Sequence, residues 1–253
     1  MKKITILISL FLSTMASWAT SHTIYVDIEN TMNIQRNDVP VVIALDPSMC
    51  PFDIQSATVF ISEEEIPSQI DDLNNDRVPD ELAFLINIAP GATTRARIVL
   101  SDTIAKRDRY TSRVYADMLV ATKSKKRPHA PINSIESPTG DLYNYLHHHG
   151  PAFESELVAY RIYFDKKQTV DIYGKFNPGF EIAPSGWYPN DEQLAQGFGD
   201  DVLRVSGSCG VGTLKGWNPQ KKKAIHIDPV DNRRATLISC GPVRTIVEMA
   251  VEG

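Results

Sequence analysis

The chain has little cysteine. Three of its 253 residues are cysteines, namely Cys50, Cys209 and Cys240, and none of them shows the close Cys-x-x-Cys spacing that is typical of zinc sites. Three cysteines allow three single pairings and leave one thiol over, so a disulfide framework does not hold this fold together. Cys209 and Cys240 lie in the same C-terminal region and are the pair to test first.

Long apolar runs are absent after the first fifteen residues. Two lysines at positions 2–3 precede an apolar run over residues 4–15, and Ser17-Trp18-Ala19 places small residues where a signal peptidase reads them. This arrangement is typical of a secretory signal peptide over residues 1–19. The run is too short for a spanning helix, and no later stretch approaches about 20 apolar residues. We therefore expect an exported protein, periplasmic or extracellular, without a membrane span.

Positive charge is in deficit. Removal of residues 1–19 takes two lysines from the 26 basic residues, which leaves 24 against 31 acidic ones and a formal net charge of −7. A nucleic-acid-binding protein instead concentrates Lys and Arg. The basic clusters at Lys123 to Arg127 and Lys221 to Lys223 are short, and such runs are usually solvated loops. The composition therefore argues against a nucleic-acid partner.

Helical periodicity is weak except at Asp191 to Gln196, whereas alternation of apolar and polar residues dominates. The alternating runs of the first half predict strands at His22 to Ile28, Val41 to Leu45, Ala57 to Ile61, Leu82 to Ile88 and Arg95 to Leu100. Later runs predict strands at Glu156 to Phe164, Gln168 to Lys175, Val202 to Ser206 and Val243 to Met249. The sequence therefore predicts an all-β protein.

A change of composition divides the chain. Residues 123–145 are rich in Lys, Arg, Pro, His and Ser, with prolines spaced too closely for regular structure. We interpret this segment as a linker or long loop between an N-terminal β-sandwich over residues 20–122 and a second β domain over residues 146–253. The last predicted strand ends a few residues before Gly253 and would leave broad sheet edges. We therefore expect the second domain to be incomplete.

An acidic loop is present at residues 71–82. Its alternate positions offer oxygen ligands for a calcium ion, namely Asp72, Asn74, Asp76, the Val78 carbonyl and Asp80. Arg77 occupies the position where such loops usually have glycine, and arginine resists the positive φ that this position often needs. The alternative is an acidic β-turn in which Asp and Asn side chains accept hydrogen bonds from the backbone. Calcium is therefore one of two interpretations of this loop.

Three consecutive histidines, His147 to His149, lie in a loop that ends at Gly150-Pro151. Imidazole is the usual acid or base near neutral pH. His149 is therefore a candidate catalytic residue, and Glu154 and Glu156 in the following strand are candidates to orient or replace it. Metal binding by the first and third histidines and a plain solvent-facing loop are the alternatives.

The strand after the histidines carries charged and aromatic side chains. Alternation puts Arg161 and Tyr163 on one side and Glu154 on the other. A three-residue loop would set Arg161 opposite Asp171 of the next strand, with Tyr173 beside it. The sequence therefore predicts a cross-strand ion pair within an aromatic face.

This face has two interpretations. Aromatic rings beside an arginine are typical of surfaces that bind a sugar ring and its carboxylate. The alternative is a solvated outer face with a surface salt bridge worth roughly 0–1 kcal/mol. Trp187 and Trp217 lie in glycine-rich segments, where each is either a stacking platform for a saccharide or a core anchor.

Three stretches of the sequence resemble the DUF4861 family of exported bacterial proteins. They are residues 69–84 (QIDDLNNDRVPDELAF), 147–175 (HHHGPAFESELVAYRIYFDKKQTVDIYGK) and 199–218 (GDDVLRVSGSCGVGTLKGWN). The resemblance implies an N-terminal β-sandwich followed by part of a galactose-mutarotase-like supersandwich. It also implies a setting among Bacteroidetes polysaccharide-utilisation proteins, often beside pectin-degrading enzymes. Family members usually have Gly in place of Arg77 and continue past Gly253, so the chain resembles a C-terminally truncated member.

The residues and the resemblance together predict an exported carbohydrate-active protein that acts on uronate-containing plant polysaccharide fragments, as a hydrolase or a lyase. In this hypothesis the histidine and glutamates carry the acid–base chemistry, and Arg161 with Tyr163 holds the uronate. One alternative is a non-catalytic glycan-binding accessory protein that uses the same face and a tryptophan, and another is an inactive truncated product. We expect no organic cofactor, and the sequence leaves the oligomeric state open.

Overall fold

The computed structural model describes residues 19–106, 109–121, 129–139, 141–186, 188–203, 211–212, 215–226 and 231–252. Antiparallel sheets dominate these residues, which confirms the all-β prediction. None of the helices in the described ranges is long and apolar enough to cross a membrane. The predicted signal peptide lies almost wholly outside the described residues and stays a prediction.

The first region is a β-sandwich. Its strands are β1 (Ser21–Glu29), β2 (Arg36–Ala44), β3 (Ser56–Ile61), β4 (Glu64–Ile66), β5 (Ser68–Asp71), β6 (Glu81–Ile88) and β7 (Thr93–Ser101). They form two sheets, with the strand orders β1-β7-β3-β4 and β2-β6-β5. Because side chains alternate along a strand, each sheet turns one apolar set inward, and both sets share a buried core that includes Val59, Phe84 and Leu100. Two sheets across one core are the predicted sandwich.

The second region contains the remaining described strands. They are β8 (Val114–Asp117), β9 (Leu119–Ala121), β10 (His129–Pro131), β11 (Ser134–Ser137), β12 (Ala152–Ser155), β13 (Val158–Ile162), β14 (Val170–Gly174), β15 (Asp200–Asp201), β16 (Lys215–Asn218), β17 (Lys223–His226), β18 (Asn232–Cys240) and β19 (Thr245–Glu252). A five-stranded sheet has the order β15-β14-β13-β12-β8, and a three-stranded sheet has the order β11-β18-β19. β9 pairs with β10 and β16 with β17. The supersandwich that the resemblance implies for this region stays a prediction.

Helical structure is confined to short segments. The α-helix α1 (Asp191–Ala195) lies within the predicted helical turn and begins with a capping box between Asn190 and Gln193. Short turns of 3-10 helix occur at Pro47–Met49, Asp141–Tyr145 and His147–His149. The last of these turns contains the histidine triplet.

The structure corrects the predicted linker over residues 123–145, because β10 and β11 lie inside it. β11 pairs with β18, so part of this segment belongs to a sheet. Pro131 ends β10 and Pro138 follows β11, where the missing N–H of proline removes no interior ladder bond. β8 also differs from the predicted boundary at residue 122, since it pairs with β12 in the second region.

Polar side chains join the two regions. Gln69 on β5 accepts hydrogen bonds from the backbone N–H groups of Val243 and Arg244 at 3.1 and 3.0 Å, and it donates to the Arg244 carbonyl at 3.0 Å. The Arg244 guanidinium donates to the buried Asp71 carboxylate at 2.8 Å and to Glu81 at 2.6 Å. The turn between β18 and β19 is therefore docked on β5 of the first region.

Candidate functional site

The predicted strand after the histidines, which carries Glu154 and Arg161, is in fact two strands. β12 ends at Ser155, and a turn at Glu156-Leu157 leads back into β13. Because the chain reverses there, Glu154 pairs with Ala159 and shares the face of Arg161. The structure therefore corrects the predicted alternation, which had placed Glu154 on the opposite face.

One face of the five-stranded sheet is lined by ionisable side chains although most of it is buried. The strand pairing puts on this face Asp117 from β8, Glu154 from β12, Arg161 from β13, and Asp171 and Tyr173 from β14. The opposite face is apolar and aromatic, with the rings of Phe153 and Tyr160 stacked at 5.5 Å. We call the first of these surfaces the polar face. Burying so many charges is unfavourable unless each is paired, and such clusters are concentrated at functional sites.

Arg161 is the centre of the polar face, and its side chain is 1% exposed. Its Nε donates to Asp171 Oδ2 at 2.7 Å, and its Nη2 donates to the hydroxyls of Tyr163 at 2.8 Å and Tyr188 at 2.7 Å. The predicted register of Arg161 against Asp171 is confirmed. The alternative of a solvated surface salt bridge is wrong, because both partners are buried.

Aromatic rings surround the Arg161 guanidinium. Its central carbon lies 5.0 Å from the ring centroid of Tyr163, 5.5 Å from that of Tyr173 and 4.6 Å from that of Tyr188, within the range of cation–π attraction. Burial raises the pKa of Tyr163 and of Tyr173, and the Arg161 charge opposes this rise only in part. The phenols therefore stay protonated at neutral pH. A phenol that accepts a hydrogen bond from the guanidinium still has its own O–H to donate.

Solvent reaches this cluster at Tyr188, which is 47% exposed although its hydroxyl accepts a hydrogen bond from Arg161. A pocket there has a free volume of about 20 Å3, and its lining includes His148, Arg161, Tyr173 and Tyr188. A water molecule needs roughly 10–15 Å3 of such volume, so the pocket has space for one or two water-sized groups. Tyr188 was not predicted, because it lies in a loop without periodicity and meets Arg161 only through the tertiary fold.

His149 joins the cluster through Tyr163. Their rings are stacked with centroids 5.3 Å apart and an interplanar angle of 22°. His149 Nδ1 lies 3.1 Å from the carbonyl oxygen of Tyr143. A carbonyl only accepts hydrogen bonds, so Nδ1 carries the proton and Nε2 is the nitrogen that can take up another. The structure thus brings the predicted acid–base candidate beside the predicted saccharide-binding residues.

The second histidine of the triplet is the one that lines the pocket. His148 is 5% exposed, and its backbone has the left-handed conformation, with φ 56° and ψ 11°. Burial is the main reason that the pKa of His148 falls to about 3, and the neighbouring His147 and Arg161 lower it further. Its imidazole is therefore neutral at physiological pH. The sequence singled out the first and third histidines because alternation cannot anticipate a positive φ at a non-glycine residue.

The two glutamates expected to assist His149 have other partners. The buried Glu154 carboxylate accepts from Lys175 Nζ at 2.5 Å and from the backbone N–H groups of Glu181 and Ile182 at 2.8 and 2.9 Å. Lys175 also donates to the carbonyl oxygens of Ser155 and Gly179. Glu154 therefore fastens the loop after β14 over the polar face.

Glu156 lies at the junction of the two regions. Its carboxylate accepts from the guanidinium of Arg113 at 2.5 Å, and the same guanidinium donates to Asp38 on β2 at 2.7 Å. Both Asp38 and Glu156 raise the pKa of Arg113 through these hydrogen bonds. The structure therefore places Glu156 in an inter-region ion triad and not against His149.

The acidic loop uses its oxygens on its own backbone. Asp72 accepts from the N–H groups of Asp76 and Arg77 at 3.2 and 2.7 Å, and Asn74 and Asp76 make similar bonds. Asp80 accepts from the N–H of Leu73. These bonds are those of the predicted acidic β-turn. Arg77 adopts φ 73°, so an arginine takes the conformation that glycine usually supplies. Calcium binding through this loop and the Val78 carbonyl stays a prediction.

The tryptophans and cysteines lie apart from the pocket or outside the described residues. Trp217 on β16 is 65% exposed, so its interpretation as a core anchor is wrong, and it does not line the pocket of Arg161. Trp187 and Cys209 lie outside the described residues. Cys240 is exposed, and its pairing with Cys209 stays a prediction.

Comparison with known proteins identifies the family. Neither the curated proteins nor the solved structures that were compared with the chain gave a match. The family model described as a domain of unknown function, DUF4861, matches residues 28–253, a range that includes the first region apart from most of β1, the second region and the whole polar face. The chain therefore belongs to the DUF4861 family.

Proposed function

We propose that the protein is an exported carbohydrate-active enzyme that cleaves uronate-containing polysaccharide fragments by elimination. The observation that supports this proposal is the buried Arg161, bonded to two phenol hydroxyls at a pocket that opens beside Tyr188. Elimination next to a carboxylate needs a cation or hydrogen-bond donors on the carboxylate and a base for the neighbouring proton. Arg161, the phenols of Tyr163 and Tyr188, and His149 stacked on Tyr163 offer these groups in one connected cluster.

Each group has a defined role in this proposal. Arg161 and the hydroxyl of Tyr188 hold the uronate carboxylate and withdraw its charge. His149 Nε2 removes the proton from the carbon that bears the carboxylate. The electron pair forms a carbon–carbon double bond as the bond to the leaving sugar oxygen breaks, and Tyr163 gives its proton to that oxygen. The guanidinium that bonds Tyr163 at 2.8 Å stabilises the phenolate.

Elimination fits the polar face better than hydrolysis does. Most glycoside hydrolases need two carboxyl groups that flank the scissile bond. On this face Glu154 is bonded to Lys175 and two backbone N–H groups, and Asp171 is bonded to Arg161. Glu154 and Asp171 are thus engaged by buried cations, and the third carboxylate of this face, Asp117, accepts a hydrogen bond from the Tyr115 hydroxyl. A base on His149 and a proton on Tyr163 need no second carboxylate.

The size of the pocket determines which part of a saccharide enters it. A volume of about 20 Å3 accepts a carboxylate but not a sugar ring. The ring therefore lies over the exposed Tyr188, whose aromatic surface suits the C–H face of a sugar. Recognition in this proposal depends on the carboxylate, and we expect neutral oligosaccharides to be poor substrates.

The test is turnover of uronate oligosaccharides by the purified chain, followed through absorbance of the unsaturated product and through new reducing ends. Tyr163→Phe keeps the ring and removes the proton, so we expect kcat to fall by about 10²–10⁴-fold, the usual contribution of a positioned acid or base, with little change in KM. Tyr25→Phe is the matched control, because Tyr25 is exposed on β1 in the other region. Full activity of Tyr163→Phe, or new reducing ends without unsaturation, would contradict the proposed elimination.

A glycan-binding accessory protein is the second candidate, and the exposure of Trp217 favours it. An exposed tryptophan on the β16–β17 hairpin is a suitable stacking platform for a sugar. In that case the folded protein binds uronate oligosaccharides and releases no product. Trp217→Ala would then abolish binding, whereas His149→Ala would leave binding unchanged.

A further inference from the structure

Three side chains at one end of the polar face converge in a way that the proposed elimination does not use. They are Asp117 at the end of β8 and the first two histidines of the triplet, His147 and His148. One carboxylate oxygen and one ring nitrogen from each histidine all lie within 4.8 Å of one another. Both histidines are buried, and Asp117 is partly buried.

The backbone is held so that the histidines meet Asp117. Asp117 pairs with Ala152 at the start of β12, and the histidine turn immediately precedes β12. Gly150 packs so tightly that a Cβ on it would lie 1.9 Å from the Ile162 carbonyl oxygen. The backbone N–H of Phe164 also donates to the His149 carbonyl at 2.9 Å. These contacts fix the histidine turn on the sheet.

The conformation of His148 brings two consecutive imidazoles together. In an extended chain, neighbouring side chains point to opposite sides. The left-handed φ of 56° at His148 instead places its ring 3.9 Å from that of His147, centroid to centroid. A non-glycine residue in this conformation is strained, and such strain is concentrated at functional sites.

A buried nitrogen in this cluster lacks a protein partner. His148 Nε2 is inaccessible to solvent and has no hydrogen-bond partner among the described atoms. A plain packing role would leave this polar atom unsatisfied, which is unfavourable in a folded protein. A metal ion would satisfy the nitrogen through its lone pair.

We propose that Asp117, His147 and His148 bind one divalent transition-metal ion of the zinc type. Two imidazoles and one carboxylate suit such an ion, whereas calcium and magnesium prefer oxygen ligands. Three protein ligands leave one coordination position for water or substrate. His148 also lines the pocket of Arg161, so the proposed ion would lie next to the space that a substrate carboxylate would enter.

A neighbouring phenol orients the carboxylate ligand. Tyr115, two residues before Asp117 on β8, donates its hydroxyl to Asp117 Oδ2 at 2.9 Å. Partners of this kind fix the direction of a ligand, and their loss usually weakens metal binding about 10–100-fold. Tyr115 is therefore a positioning residue for the ion.

The test is metal binding by the purified full chain after removal of bound metal with a chelator. We expect about one Zn²⁺ per chain by titration calorimetry, and visible absorption bands when Co²⁺ replaces Zn²⁺. Asp117→Asn and His148→Ala should lose the stoichiometric ion and the Co²⁺ bands, and Tyr115→Phe should bind Zn²⁺ about 10–100-fold more weakly. His22→Ala is the matched control, since His22 is exposed on β1, and it should bind as the unchanged protein does.

Folding is checked separately by thermal unfolding of each metal-free variant. Asparagine is nearly isosteric with aspartate, so zinc binding by Asp117→Asn tests the proposed site if His148→Ala does not fold. Absence of stoichiometric Zn²⁺ in the unchanged protein, or equal binding by a folded Asp117→Asn variant, would overturn the proposed metal site. The outcome is independent of the elimination, because no step proposed for it passes through the ion.

Discussion

Replacement of Glu154 by glutamine tests whether this residue is a structural anchor. Its carboxylate and the Lys175 ammonium form an ion pair whose side chains are both buried. Glu154→Gln removes the negative charge and leaves the ammonium buried without a counter-charge. Breaking a buried pair in this way costs about 3–5 kcal/mol.

The glutamine amide adds a second unfavourable contact. Glu154 also accepts hydrogen bonds from the backbone N–H groups of Glu181 and Ile182, and an amide nitrogen turned towards them would set donor against donor. An unsatisfied buried donor costs about 1–3 kcal/mol. Both effects act at one site and do not simply add, so we expect a total loss of about 3–5 kcal/mol.

Urea denaturation measures this loss. Trp187 and Trp217 both belong to the second region, so tryptophan fluorescence of the chain without residues 1–19 reports its unfolding. Glu156→Gln is the matched control, because Glu156 is partly exposed and a surface pair contributes up to about 1 kcal/mol. Lys175→Met added to Glu154→Gln should recover part of the stability. A loss below about 1 kcal/mol for Glu154→Gln would refute the anchoring role and return this residue to the catalytic candidates.

Two further predictions concern Gly150 and Tyr173. Gly150→Ala would place a methyl group 1.9 Å from the Ile162 carbonyl oxygen. We therefore expect the free energy of unfolding, measured by urea denaturation, to fall by at least about 3 kcal/mol, the upper end for overpacking. Wild-type stability of this variant would show that the histidine turn is not held on the sheet. Burial raises the pKa of Tyr173, so its contribution to stability is complete below the unfolded pKa of about 10 and is lost as the pH rises above it, by about 1.4 kcal/mol per pH unit. Tyr173→Phe should reduce this loss of stability at high pH. An unchanged slope of the unfolding free energy against pH would contradict the raised pKa of Tyr173.

The sequence predicts those parts of the fold that depend on local alternation. Strands β1, β3, β6 and β7 lie where apolar and polar residues alternate. The pairing of Arg161 with Asp171 is confirmed, because a period of two fixes which side chains can face each other once the loop length is odd. Local pattern was sufficient for these elements.

The turn between β12 and β13 could not be predicted in this way. It lies at Glu156-Leu157, which has neither glycine nor proline and reads as part of one continuous strand. The missed turn reversed the predicted face of Glu154. Partners such as Asp117 and Tyr188 were missed for another reason, since they reach the polar face from distant segments through tertiary packing.

The docking of the β18–β19 turn on β5 makes the order of synthesis matter. Asp71 is made 173 positions before Arg244, the cation that neutralises it in the buried junction. Until that arginine emerges, the Asp71 carboxylate remains hydrated, because burying it alone would be strongly unfavourable. We therefore expect the edge of the first sandwich at β5 to close last, although its residues are made early. Because this junction needs side chains from both regions, we expect the two regions to unfold together.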